Sequence, residues 1–294
     1  MEFRDLEIFQ LVAEKGTISE AADELNYVQS NITARIKKLE KEMNTPLFNR
    51  HRRGMSLTPE GKKLLTYSEK ILALKKEMKQ AVQTNKEPSG KLEIGTIETV
   101  IFLPRILSNY VNKYKEVDLS LITGVTQNLV DQVLDYKLDG AFISELDIHP
   151  DLVSYEVFEE ELVLITSKHI TKLEEIREES ILCFSKGCGY RARLAEWWYK
   201  DQQIPPKKIM EFGTLETILR STVMGLGVAF VPKSEVAQLE KQGLVRFHNL
   251  PEKYSKIKTV FVRRKDTYLT PTMEKFIETI ENNKVDLKDQ PMII

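Results

Sequence analysis

Gln29, Ser30, Asn31, Thr33 and Arg35 fall within seven residues, and each carries groups that can recognise the edges of bases. Gln or Asn can engage adenine through a donor and an acceptor together, Arg does the same to guanine, and Ser or Thr serves either. Ser, Thr and Asn also favour helix starts for purely local reasons, so composition alone leaves both readings open. A second group sits in Phe48-Asn49-Arg50-His51-Arg52-Arg53-Gly54-Met55-Ser56-Leu57-Thr58. A short hairpin there would set Arg50, Arg52 and Arg53 against phosphates or in a minor groove. From Arg35 through Lys37 to Arg53 there are seven basic residues, opposed only by Glu40 and Glu42. The net charge of −1 hides this focus: residues 1–88 carry 16 Lys/Arg against 13 Asp/Glu, and residues 89–294 carry 27 against 31. Phosphate binding needs that local concentration more than it needs a basic chain.

Short helices must position these groups. Leu6, Phe9 and Ala13 recur at near-helical spacing and stop at Gly16. A second helix after Thr17 carries the small residues Ala21 and Ala22, which let a neighbour approach closely. A third places Ile32, Ile36, Leu39 and Met43 on one buried stripe. Opposite lie Ser30, Thr33, Ala34, Lys37 and Lys41, short at the N-terminal end and cationic beyond. Thr58 and Pro59 then open a long helix, Thr58 as cap and Pro59 at the first position. Its apolar residues Leu64, Tyr67, Ile71, Leu74, Met78 and Ala81 are spaced by three and four, a seam that asks for a partner helix and so for a dimer.

Asn85 to Gly90 is polar and turn-rich, a hinge. Beyond it, strand-like runs (Leu92–Thr96, Leu119–Thr123, Ala141–Ser144, Leu162–Thr166, Ile181–Phe184, Val228–Val231 and Thr259–Val262) alternate with amphipathic stretches at Leu103–Tyr114, Leu129–Leu138 and Leu215–Met224. Such alternation predicts an α/β domain with a largely parallel sheet.

Catalysis finds no support. His51, His149, His169 and His248 are scattered, and HExxH, GxSxG, Walker and GxGxxG patterns are missing. Neither an enzyme activity nor a cofactor or metal is expected. Apolar runs are strand-sized, and Met1 is followed by Glu2, Arg4 and Asp5 with no apolar stretch, so a cytoplasmic protein without a membrane partner is expected.

The run Phe9…Ala21-Ala22…Leu25…Gln29-Ser30…Ile36…Leu39-Glu40…Pro46-Leu47-Phe48…Arg50…Leu57-Thr58…Gly61 resembles the N-terminal signature of LysR-type transcriptional regulators. The long helix, the hinge and the α/β remainder also match that family's layout. The resemblance implies a winged helix-turn-helix over residues 1–59, a linker helix and hinge over 60–88 that pairs with its twin, and an effector-binding domain over 89–294. That domain would be two-lobed and Rossmann-like, similar to periplasmic solute-binding proteins, with lobe I about 89–161 plus 265–294 and lobe II about 162–264. Gln29, Ser30, Asn31 and Thr33 would face the groove of a palindromic promoter site, with Arg50 and Arg52 in the wing, and dimers or tetramers are implied. Val28 departs from the family's usual Ser or Thr, which removes a hydroxyl cap. Ala34 stands where a basic residue is common, which shifts phosphate anchoring to Arg35 or Lys37.

One internal echo concerns the effector. Gly95-Thr96-Ile97-Glu98-Thr99 recurs as Gly213-Thr214-Leu215-Glu216-Thr217, each between a strand-like and a helical segment. Ligands of open α/β sheets bind near such turns, at helix N-termini. Thr96, Glu98, Thr99, Phe212, Gly213 and Thr214 are therefore candidate effector residues, and the resemblance adds Thr126. Helix N-termini favour an organic anion; Glu98 would repel one unless it turns away to cap its helix. Cys183 and Cys188 leave an alternative open, a redox-sensing regulator of the same fold in which Lys186 or Arg191 lowers a thiol pKa. A solute-binding protein is a further alternative, which the missing export signal opposes.

Overall fold

The computed structural model describes residues 1–52, 54–82, 87–100, 102–145, 148–170, 173–202 and 207–284. Arg53, the hinge residues Asn85 and Lys86, and the tail after Lys284 lie outside the described residues. The chain divides into two compact units, the first essentially residues 1–85 and the second built from the residues that follow.

The first unit starts with α1 (Phe3–Lys15), α2 (Ile18–Leu25) and α3 (Gln29–Met43). Each boundary has a local cause. Asp5 accepts the Glu2 N–H at 2.9 Å, and Gly16 ends α1 in the left-handed region at φ 72°. Thr17 caps α2 by accepting the Glu20 N–H at 3.2 Å. Asn26 and Asn44, also left-handed, close α2 and α3. The three helices bury Phe9, Val12, Ala21, Ala22, Ile32, Ile36 and Leu39 in one small core. Met43, expected on the buried stripe, is exposed at the end of α3, where the chain has already turned away from the core.

A hairpin of β1 (Phe48–His51) and β2 (Gly54–Leu57) follows, antiparallel as expected. Its position depends on Gly54: at φ 138°, a Cβ there would lie 2.5 Å from the Gly16 carbonyl oxygen. That carbonyl instead accepts the Met55 N–H at 2.6 Å, which docks the hairpin on the α1–α2 turn. Glu40 fixes the other end by accepting the N–H groups of Leu47 at 2.9 Å and Phe48 at 3.3 Å. Thr58 then caps α4 (Pro59–Val82), accepting the Gly61 N–H at 2.9 Å. At 1.5 Å per residue this helix is about 36 Å long.

The second unit contains β3 (Gly90–Thr96), α5 (Leu103–Lys113), β4 (Val117–Thr123), α6 (Thr126–Leu134), β5 (Gly140–Ser144) and β6 (Leu152–Ser167). It continues with β7 (Ile181–Cys183), α7 (Gly189–Trp197), β8 (Ile209–Glu211), α8 (Leu215–Val223), β9 (Val228–Pro232) and α9 (Lys233–Lys241). It closes with β10 (Val245–His248), α10 (Glu252–Ser255), β11 (Lys256–Arg264) and α11 (Pro271–Asn282). The strand order is β4-β3-β5-β11-β6-β9-β7-β8, with β10 paired to β6.

This sheet is mixed rather than largely parallel. β4-β3-β5 and β9-β7-β8 are parallel sets, as strands joined by crossover helices must be. Between them β6 and β11 run antiparallel to each other and to their neighbours. These two long strands serve two separate cores. Val157 and Phe158 of β6, with Val260 to Val262 of β11, join Tyr110, Phe142 and Phe276 in the first core. Leu162 to Ile165 of β6 and Ile257 of β11 join Trp197, Trp198 and Val228 to Val231 in the second. Among the described residues no helix is long and apolar enough to cross a membrane.

Candidate nucleic-acid interface and ligand cavity

The outer face of α3 presents Gln29, Ser30, Asn31, Ala34, Lys37 and Lys41 to solvent. Gln29 is already oriented, because its amide donates to the Ser19 hydroxyl at 3.0 Å. The half-buried Thr33 donates its hydroxyl to the Gln29 carbonyl at 2.8 Å, leaving only acceptor capacity for a ligand. Val28, the N-cap, makes no side-chain cap, so the first N–H groups of α3 are not tied up by a hydroxyl. Arg50 and Arg52 are exposed in the hairpin, beside the same face through Glu40, whose carboxylate lies 4.0 Å from the Arg50 guanidinium.

Arg35 departs from its expected role. It turns inward and donates to the buried Asp5 carboxylate at 2.7 Å, with Glu2 at 3.5 Å. Burial pushes the Asp5 carboxyl up, but the Glu2 N–H and the Arg35 guanidinium more than offset this, and its pKa is lowered. Arg35 therefore holds α3 to α1, which leaves Lys37 as the exposed cation on the outer face's first turns.

The seam of α4 divides in the same way. Gly61 and Ser68 are buried, Ser68 accepts from the Gln10 amide at 3.1 Å, and Lys75 pairs with Glu7 at 2.8 Å, so one face rests on α1. Leu64 leans partly into the first unit's core. Tyr67, Leu74, Met78 and Val82 remain 67%, 48%, 58% and 80% exposed, with Ile71 half-buried between them. These side chains form an exposed apolar row along one helix.

In the second unit an open cavity of ≈ 240 Å³ lies where the two cores meet. Ile97, Glu98, Thr99, Thr123, Gly124, Val125, Asn128 and Ser144 line one side; Phe184, Ser185, Cys188, Tyr190 and Gly213 line the other. Three contacts draw the sides together, and Tyr190 is held by a further one. The Thr99 hydroxyl and the Tyr190 hydroxyl are 2.6 Å apart, and Tyr190 donates to Glu160 at 2.5 Å. The Leu215 N–H donates to Glu98 Oε1 at 3.1 Å, and the Gln127 N–H to the Gly187 carbonyl at 3.1 Å. Gly189 permits the closest approach, since a Cβ there would lie 2.5 Å from the Ser144 Cβ.

Of the candidate effector residues, Glu98, Thr99 and Gly213 line this cavity. Thr96 is buried with its hydroxyl donating to the Ile97 carbonyl, and Phe212 packs on the second core. Thr126 is buried with its hydroxyl unpartnered among the described residues. Thr214 caps α8, accepting the Thr217 N–H at 3.3 Å. The echoed turns are thus not equivalent: β3 is followed by a turn before α5, and Thr99 faces Tyr190 instead of capping a helix. Glu98 does cap a helix, but it is α8 across the cavity rather than its own.

Glu160 and Tyr190 were not anticipated. Strand alternation places Glu160 inside with Phe158 and Leu162, the middle of three consecutive glutamates. Burial pushes its pKa up to about 7; the Tyr190 hydroxyl opposes the shift and Glu235 adds to it. Burial also pushes the Cys183 thiol up to about 11 against the pull of Arg191, and raises Cys188 despite N–H groups from Arg191 and Tyr190. Raised thiols are poor nucleophiles, the opposite of what the redox alternative requires of this pair.

The comparisons with known proteins agree on kinship. The profile described as "Bacterial regulatory helix-turn-helix protein, lysR family" matches residues 3–62, and that described as "LysR substrate binding domain" matches residues 85–284. The chain is 55% identical to the HTH-type transcriptional regulator SoxR of an Arthrobacter species, covering 96% of this chain and 97% of that one. It is 53% identical to the HTH-type transcriptional regulator CzcR of Bacillus anthracis, over 96% and 98%. The structure of a full-length OxyR variant from Pseudomonas aeruginosa has the same fold, with a TM-score of 0.69 at 19% identity over 99% of both chains. With its helix-turn-helix, its long α4 and its two-core α/β unit, the chain belongs to the LysR-type family of transcriptional regulators.

Proposed function

We propose that α3, through Gln29, Ser30, Asn31, Thr33 and Lys37, reads the major groove of a promoter while Arg50 and Arg52 hold the backbone. The observation that carries this reading is the exposed face of α3, polar at its N-terminal end and cationic beyond, held in place from behind by the Arg35–Asp5 pair. One such helix makes few base contacts, so two are brought together by the uncovered row Tyr67, Leu74 and Met78 of α4, with Leu64 and Ile71 at its margin. Residues 1–59 read, 60–88 pair and link, and 89–294 sense a small molecule in the cavity through Glu98, Thr99 and Gly213. The protein acts in the cytoplasm, where bacterial DNA lies.

An electrophoretic mobility shift with DNA from upstream of the protein's own gene tests the reading. A complex that forms over unrelated competitor and weakens steeply with salt is expected. Equal affinity for unrelated DNA would contradict it.

A further inference from the structure

Glu98 is the single charged side chain in the lining of the cavity; no Lys, Arg or His is among the described lining residues. The other polar side chains there, Thr99, Thr123, Asn128, Ser144, Ser185 and Tyr190, are neutral. An anion entering this space would meet a carboxylate and no side-chain cation. Glu98 is exposed, so it lies on the accessible side, and its position is fixed by the Leu215 N–H on its Oε1. No other donor among the described residues reaches it.

Two further carboxyl groups are electrostatically coupled to Glu98, directly or in series. Burial raises the Glu235 carboxyl, and Glu98 raises it further. Glu235 in turn adds to the raised pKa of Glu160. The Leu215 N–H occupies Glu98 Oε1, which leaves Oε2 to accept from a cation.

We infer that the ligand of this cavity carries a protonated amine, bound by Glu98, with Thr99, Ser144 and Asn128 placed to accept or donate to the rest of a small molecule. The inference deepens the reading of the cavity as an effector site and rests on it. Simple amines and amino acids share the ammonium group. The cavity, of ≈ 240 Å³, is at the small end of ligand sites and suits molecules of either kind. Because Glu98 also bonds Leu215 across the cavity, an ammonium on Glu98 acts on a contact that joins the two cores.

Isothermal titration of the full chain with ethylammonium and L-alanine, against propionate and L-lactate, tests the inference at millimolar ligand. Saturable binding by an ammonium-bearing probe, weakened at least tenfold by Glu98→Gln and unchanged by Glu216→Gln at an exposed position of α8, is expected. Ethylammonium alone sufficing would mark an amine ligand, and a requirement for L-alanine an amino acid. Three results would overturn it: saturation by the acids but not the amines, binding indifferent to Glu98→Gln, or no saturation by either ammonium probe. Mobility shifts of the same preparation separate the failures. Acids that bind and alter the DNA complex would leave the effector reading standing and remove only the ammonium. If a probe fills the cavity without altering DNA binding, the effector reading fails instead.

Discussion

Glu160 shows how one side chain can tie stability to pH. Its folded-state pKa is raised from the ordinary 4.5 to about 7, so between these values the folded protein keeps a proton that the unfolded chain has lost. Stability from this group is full below about pH 4.5, falls as pH rises, and is lost above about pH 7. Glu160→Gln keeps an acceptor for Tyr190 and removes the charge. Relative to wild type, the variant gains on the order of 2–3 kcal/mol between pH 4 and pH 8, read from urea melts. A parallel pH profile for the two proteins would contradict the assignment. Nothing in Glu159-Glu160-Glu161 marked the middle residue, because a run of acids reads as solvated surface until the strand's register is known. Ser30, Ala34 and Lys37 were legible for the opposite reason: a helix period with a clear apolar stripe fixes the outer face. Arg35 sits at the edge between those faces, and only the position of Asp5 shows which way it turns.

Among the elements, α4 was readable in its span and its seam, since Thr58, Pro59 and a three-four apolar spacing need no tertiary information. Which part of the seam is free was not readable, because Leu64 serves the first unit's core while Tyr67, Leu74 and Met78 stay exposed. Leu74→Glu with Met78→Glu should therefore produce a folded monomer by analytical ultracentrifugation, with unchanged far-ultraviolet dichroism. An intact dimer would show that another surface holds the protomers together. β6 was legible only in its second half. Its first half, Leu152 to Glu161, alternates with four glutamates and lacks an apolar run, so its pairing with β11 stays hidden until that partner is in place. The parallel expectation failed at these two strands, which pair antiparallel and each contribute side chains to both cores.

At the scale of the molecule, the two units answer different chemistry: an outward cationic face in one, an open cavity with a single carboxylate among its described lining residues in the other. Ligand and DNA affinities must change each other by the same factor if the units are coupled, because linkage is reciprocal. The family and the division of labour were visible in the sequence, while the cavity's lining came from residues such as Ser144 and Tyr190 that carry no local signal. Sequence reading by the α3 face is tested most directly by fluorescence anisotropy of the full chain on its bound upstream duplex and on a scrambled duplex. Asn31→Ala should cost about 1–3 kcal/mol on the matched duplex and almost nothing on the scrambled one, which collapses the ratio between them. An unchanged ratio for Asn31→Ala and Ser30→Ala together would contradict the account.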